Sequence, residues 1–291
     1  MSPRVNLTSL SSFNENHSLY HQVRPSFNSE LVPKFFNDLG LNSNERKSIL
    51  ELAVGTGLFT QEIITEGLDK KHDLLFVEPS EGMLKSFREN FPQFESKLGS
   101  SYDLPLPDNS VDVVIIAQAF HWFSDLESVK ELNRVLKKDG KIGLIWNFDT
   151  IDNNENINTG ALKWDIDPNE IDETTTWREV AHLAQSYDSG VPQYRKGQWR
   201  NVFESPAGKK YFDASKTIDE VSHRIVPFEN EKVYGYWLSR SYITSLPDES
   251  KLVLKGKIEK LLSEAPAKDF VDPTHVKQLL GTHYFIAPVN K

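Results

Sequence analysis

ILELAVGTGLFT, residues 49–60, is the stretch on which the fold turns. The apolar, branched run ILELAV leads into Gly55-Thr56-Gly57, and LFTQEIITEGL (58–68) goes on with helical spacing. A buried strand that turns on glycines into a helix is the opening unit of an open parallel sheet. Glycine there permits unusual backbone angles and lets a ligand approach the main chain without a Cβ in the way. The helix start adds free N–H groups.

Outward from that turn the strand–helix alternation repeats. DLLFVEP (73–79) reads as a strand and SEGMLKSFREN (80–90) as a helix with Ser80 at its N-cap. VDVVIIAQ (111–118) is nearly all apolar, as expected of a strand covered on both faces. DLESVKELNRVLK (125–137) has helical period, KKDG ends it, and KIGLIWNF (141–148) is the next strand. Upstream, NSELVPKFFNDL (28–39) reads as a helix that Ser29 could cap, with Pro33 near its start. Downstream, TIDNNENINTG reads as a loop, and the Trp-rich segments of 160–205 as a partly helical cap. Residues 231–246 and 248–265 read as two amphipathic helices, and KQLLGTHYFIAPV (277–289) as a final strand. The fold expected is α/β: a doubly wound, Rossmann-like sheet carrying a cap or insertion. The chain is read as one domain, 1–291. Within it lie an amino-terminal lid segment (1–45), a cofactor-binding half (46–149), the cap (150–215), and carboxy-terminal helices with the last strands (216–291).

The glycines discriminate between ligands. A dinucleotide fingerprint Gly-x-Gly-x-x-Gly needs a third glycine. Counted from Gly55 and Gly57 that place is Thr60; in the other register Ala53 and Leu58 stand where glycines are needed. No Gly-Lys-Ser/Thr follows, so a phosphate-cradling loop fails too. What remains is a turn without provision for phosphates, which suits a ligand made of adenosine and an amino acid. Glu78 ends the second strand, 21 residues after Gly57. In a doubly wound sheet this brings a carboxylate beside the first turn, where it can accept from both hydroxyls of a ribose.

Composition narrows the classes further. The chain has 291 residues, a formal charge of −9 and no cysteine. Thiolate catalysis and cysteine-ligated metals are excluded. Without a dense basic run, neither nucleic acid nor an anionic membrane is an expected partner. No apolar run approaches the ~20 residues of a membrane-spanning helix, and the first residues lack a secretory h-region. The expectation is a cytoplasmic protein acting on a small molecule. His17 and His21 stand at i, i+4 without a His-Glu-x-x-His pattern, and no metal is expected. Oligomeric state is not specified by these features.

The chain resembles the class I S-adenosylmethionine-dependent methyltransferases, and within them a small-molecule branch that includes trans-aconitate-methyltransferase-like proteins. The residues that carry the resemblance are YHQVRPSF (20–27), ILELAVGTGLFT (49–60), FVEPSEGML (76–84), LPLPDNSVDVVIIAQAFHWF (104–123), NRVLKKDGKIGLIWN (133–147) and YGYWLSRSYITSLP (234–247). It implies a seven-stranded sheet whose last strand is antiparallel, and S-adenosyl-L-methionine as cofactor. It also implies that Glu51, Ala53, Gly55 and Gly57 lie around the methionine end, and that Glu78 holds the ribose. Pro79 and Met83 would pack on the adenine, Ser100, Ser101 and Tyr102 would face its edge, and Gln118 and Ala119 would close the pocket. Tyr20 and Arg24 would belong to a segment folded over the cofactor. The chain departs from the family at Ala53, where glycine is usual, and at Ser100, where an acid is common.

Methyl transfer is an in-line displacement that needs a held nucleophile, excluded water and, for a neutral acceptor, a base. His121 is the candidate catalytic residue, as base or as positioning group. Trp122, Trp146, Asn147 and Tyr242 are the substrate candidates, with Arg240 on the same helix as Tyr242. Arg24 could pair with a carboxylate, and O-methylation of a carboxylate is the preferred reaction. Two competing readings are a non-catalytic S-adenosylmethionine-binding or regulatory protein and an NAD-dependent oxidoreductase; the missing third glycine counts against the latter.

Overall fold

A computed structural model describes residues 23–150, 166–188 and 190–291. Tyr20, His17, His21 and the loop expected at 151–160 lie outside them. Among the described residues the strands are β1 (Ser48–Leu52), β2 (Asp73–Glu78), β3 (Ser96–Leu98), β4 (Val111–Ala117), β5 (Leu136–Asp149), β6 (Ile218–Glu229), β7 (Phe270–Asp272) and β8 (His275–Pro288). They form one sheet in the order β3-β2-β1-β4-β5-β8-β6, with short β7 pairing on β8. The first five run parallel. β8 is antiparallel to both β5 and β6. The expected last antiparallel strand is thus present, in a sheet of eight strands rather than seven, β7 being the short addition.

Alternation along the central strands explains the layering. Ile49, Val113, Ile115 and Ile145 face one side, where they bury Phe35, Phe36 and Leu39 of helix α1 (Leu31–Asp38) and its neighbour, with Phe59 and Ile63 of α2 (Leu58–Thr65). Leu50, Val114, Ile116 and Leu144 face the other side. They meet Val129, Leu132 and Val135 of α4 (Leu126–Val135), and Trp199 and Phe203 from the chain beyond β5. Each such side chain contributes about 2 kcal/mol on burial, so a strand apolar on both faces is stable only between two layers. Helix α3 (Glu81–Asn90) covers β2 through Phe87, packed with Phe91 against Phe76. A further cluster lies off the sheet. It joins Trp177, Val180 and Ala184 of α5 (Thr175–Gln185), Tyr236 and Trp237 of α6 (Val233–Leu238), and Leu254 and Ile258 of α7 (Asp248–Glu264).

Several boundaries differ from the sequence reading. Ser29 does not cap α1: Glu30 holds the N-cap position without a side-chain bond, and Asn28 Oδ1 accepts instead from the Glu30 amide at 2.9 Å. KKDG is no turn but an irregular part of β5, which runs unbroken from the end of α4 through a register shift opposite Val111 and Val113. The helix read at 231–246 breaks after Leu238, because Arg240 is extended (φ −81°, ψ 133°) before a short turn at Ser241–Thr244. β3 and β6 had no clear pattern. β3 has three residues, and β6 is an edge strand with Pro227, on which only His223 is buried.

Candidate active site

The carboxyl ends of β1, β2 and β4 open into a cleft. Its floor begins at the glycine turn. Ala53 (φ 58°), Gly55 (φ 59°) and Gly57 (φ 91°) all lie in the left-handed region. Ala53 and Gly55 line the cleft, whereas Gly57 does not. A Cβ on Gly57 would sit 2.1 Å from Phe91 Cε2 and 3.2 Å from Phe87 Cδ2, so this glycine serves the turn and the seating of α3. Gly57 thus stands in the turn between Thr56 and Leu58, both of which line the cleft.

Among the described residues, two carboxyl groups face this cleft, Glu51 and Glu78. Glu78 Oε2 accepts from the Gly55 amide at 2.9 Å, and Oε1 from the Ser80 amide at 2.9 Å. Burial pushes its pKa up to about 7 against the lowering effect of those two amides. Glu51 is buried on β1 and accepts from Thr60 Oγ1 at 2.6 Å. Burial pushes it up to about 8. Thr60 stands where a dinucleotide turn needs its third glycine, and its hydroxyl is committed to Glu51.

The walls gather most of the remaining candidates. Pro79 and Met83 form an apolar side, and Ser100, Ser101 and Tyr102 face the cleft from the loop after β3. Ser80 caps α3 through Met83 N at 3.3 Å, which sets the place of Met83. Tyr102 Oη donates to Asp125 Oδ2 at 2.7 Å. Gln118 (φ 60°) and Ala119 close the far side. Arg24 lies at the rim, 5.4 Å over the ring of Tyr236, and donates to the Ser239 carbonyl at 3.1 Å. The set fits an adenosyl ligand: the Glu78 oxygens, each bonded by one backbone amide among the described residues, remain able to accept from hydroxyls, beside the apolar side of Pro79 and Met83.

A second pocket adjoins the first and shares Arg24, Gln118, Trp122 and Asn147 with it. Its other walls include His121, Asp149, Tyr194, Arg195, Arg240 and Tyr242. Three guanidinium groups therefore meet one carboxylate. Asp149 pairs with Arg240, and Arg195 with Asp188. His121 Nδ1 is buried with no hydrogen-bond partner among the described residues. Burial, then the charge of Arg240, lowers the His121 pKa to about 3, so the ring is neutral near pH 7.

Two substrate candidates change meaning. Trp146 is fully buried, reaches neither pocket, and packs 4.9 Å from Tyr194 and 4.6 Å from Trp199. Residues alternate along β5, so Asn147 and Asp149 take the cleft side and Trp146 takes the other. Asn147 lines both pockets, but its amide is committed: Nδ2 donates to the carbonyls of Pro25 (3.1 Å) and Ser26 (3.0 Å), and Oδ1 accepts from Thr282 at 2.6 Å. It anchors the segment over the cleft. Sequence reasoning missed Asp149, Tyr194, Arg195 and Tyr236. No local pattern singles them out, because each reaches the site through a contact between distant segments.

Comparison with known proteins agrees with this geometry. Residues 50–144 match the family described as a methyltransferase domain. An uncharacterized methyltransferase-like protein of Schizosaccharomyces pombe is 28% identical over 88% of this chain and 88% of its own length. An uncharacterized methyltransferase of Mycobacterium tuberculosis is 37% identical over 47% of this chain and 52% of its own length, so that alignment spans about half of each protein. In structure, a putative type II methyltransferase from Anaeromyxobacter dehalogenans superposes with a TM-score of 0.55 at 18% identity, covering 91% of this chain and 97% of that one. The fold is that of the class I methyltransferases. The chain carries a methyltransferase domain over residues 50–144, and S-adenosylmethionine is its cofactor.

Proposed function

We propose that the chain methylates a small-molecule acceptor at a carboxylate oxygen, with the acceptor held in the second pocket. The observation that carries this reading is the set of guanidinium groups that line this pocket, Arg24, Arg195 and Arg240, of which Arg240 pairs with Asp149 and Arg195 with Asp188. Guanidinium groups recognise carboxylates by paired, charge-assisted hydrogen bonds. When bound, S-adenosylmethionine supplies a methyl carbon activated by its sulfonium. Glu78 takes the ribose hydroxyls; Pro79 and Met83 flank the adenine, and Ser100, Ser101 and Tyr102 face its edge. Glu51, Ala53 and Gly55 surround the methionine end, and Gln118 and Ala119 close the pocket. Arg24 and Arg240 orient the acceptor, while Trp122 and Tyr242 exclude water from it. A carboxylate is already deprotonated and needs no base. His121, whose pKa is lowered to about 3 by burial and Arg240, is then a positioning group.

Two measurements test the reading. In calorimetry with S-adenosylhomocysteine, Glu78→Ala weakens binding about 100-fold, the loss of two charge-assisted hydrogen bonds; parental affinity in the variant removes the ribose role. In a screen of small acids with methyl-labelled cofactor, the product label is released as methanol by mild base, as an ester demands. Base-stable label on an amine or hydroxyl overturns the carboxylate assignment.

A further inference from the structure

Asp149, the last residue of β5, is a carboxylate to which the proposed chemistry gives no task. Its side chain is only 3% exposed. Tyr236 Oη donates to it at 2.8 Å (Oδ1) and 2.7 Å (Oδ2), Trp177 Nε1 at 3.2 Å and Gln278 Nε2 at 3.4 Å, and Arg240 pairs with Oδ2. These donors come from α6, α5, β8 and the break after α6. A buried carboxylate is costly to desolvate, and that cost is offset only by bonds as complete as these.

The donors do not stop at the acid. Tyr236 forms part of the cofactor cleft, and Arg240 part of the second pocket. Arg240 Nη2 also donates to Tyr236 Oη at 2.5 Å, and its guanidinium lies 4.9 Å from the centre of the Tyr236 ring. The chain leaves its helix at Ser239–Arg240, and the extended backbone of Arg240 turns its side chain to the end of β5. Arg24 donates to the Ser239 carbonyl of the same break. We propose that Asp149 is a positioning residue: it holds the Arg240 guanidinium in the second pocket and ties it to Tyr236 at the cofactor cleft, so that one carboxylate sets the geometry of both. The consequence for catalysis rests on reading the second pocket as the acceptor site; the holding of Arg240 does not.

The test is the rate at which phenylglyoxal modifies individual arginines of the full chain with S-adenosylhomocysteine present, read by peptide mass spectrometry. In the parent, Arg240 reacts slowly. Asp149→Asn keeps the size of the side chain and removes its charge. It should raise the Arg240 rate about tenfold, while Arg195, paired with Asp188, keeps its parental rate. An unchanged Arg240 rate overturns the proposal. So does a rise at every arginine together, since a loosened cap would do that. Tyr236→Phe leaves the Asp149–Arg240 pair in place, so Arg240 should stay slow there; fast reaction in that variant makes Tyr236 the holder and also overturns the proposal. Succinate added to the parent should slow Arg240 further. If it does not, while Asp149→Asn still speeds the reaction, the positioning role stands and the acceptor reading of the pocket falls.

Discussion

Ala53 and Gly57 sit four residues apart in one turn and are held by different constraints. Ala53 has φ 58°, a conformation that costs an L-residue of this kind about 1 kcal/mol, and it lines the cleft. Ala53→Gly removes that strain, and the gain outweighs the added freedom of the unfolded chain by a few tenths of a kcal/mol; thermal unfolding should show a melting point up by about 1 °C or less. Gly57→Ala meets Phe91 and should cost about 3 kcal/mol or more, because ring and helix must both move. Equal melting points for the two variants would contradict this division of roles. His121→Asn should bind S-adenosylhomocysteine as the parent does and keep most of its single-turnover rate. A collapse of that rate with normal affinity would make the histidine a base after all. The sequence reading reached the turn and Glu78 because strand, glycines and acid follow one another at a fixed spacing. It could not place Trp146, because the direction of a side chain on a two-sided strand depends on what packs there.

Capping shows how an element can carry part of a site. Asp125 Oδ1 accepts from Ser128 N at 2.9 Å and so starts α4, while Oδ2 accepts from Tyr102 Oη on the cleft wall. Asp125→Ala should lose about 1 kcal/mol of stability through the cap and weaken S-adenosylhomocysteine several-fold through Tyr102. Asp125→Asn retains an acceptor for the cap and should recover most of the stability; a variant that melts with the alanine form would place the loss elsewhere. The long helices were legible from their period, and α7 spans Asp248–Glu264 close to the expected 248–265. The break after Leu238 was not, since the residues on either side keep helical spacing and the interruption is tied to contacts with Asp149 and Arg24.

Across the whole molecule, the unliganded cleft is linked to pH. Folding raises Glu51 to about 8 and Glu78 to about 7, each through burial first. A carboxyl whose pKa is raised on folding binds its proton more tightly in the folded state. Its contribution to stability is therefore greatest below the ordinary carboxyl range near 4.5 and falls as pH rises through the folded pKa. The melting point of the unliganded protein should drop between about pH 5 and 8, by the equivalent of up to several kcal/mol, and Glu51→Gln should flatten part of that slope. A slope that rises over this window would contradict the protonated cleft. With Glu78 as ribose acceptor, binding favours its ionised form, so cofactor affinity should rise with pH through 7.

What the sequence by itself determined is the parallel sheet, the glycine turn, the acid at the end of β2 and the adenosyl character of the cleft. These rest on neighbours in the chain, on apolar periodicity that must match a buried face, and on a spacing set by one strand–helix unit. What only the tertiary structure decided is the second pocket and its control. Asp149, Trp177, Tyr236, Arg240 and Gln278 converge from the sheet, α5, α6 and the break after α6, and no local period marks any of them. Their meeting depends on how the cap cluster seats on the end of β5, a balance of burial and paired charge that exists only once the chain has closed on itself.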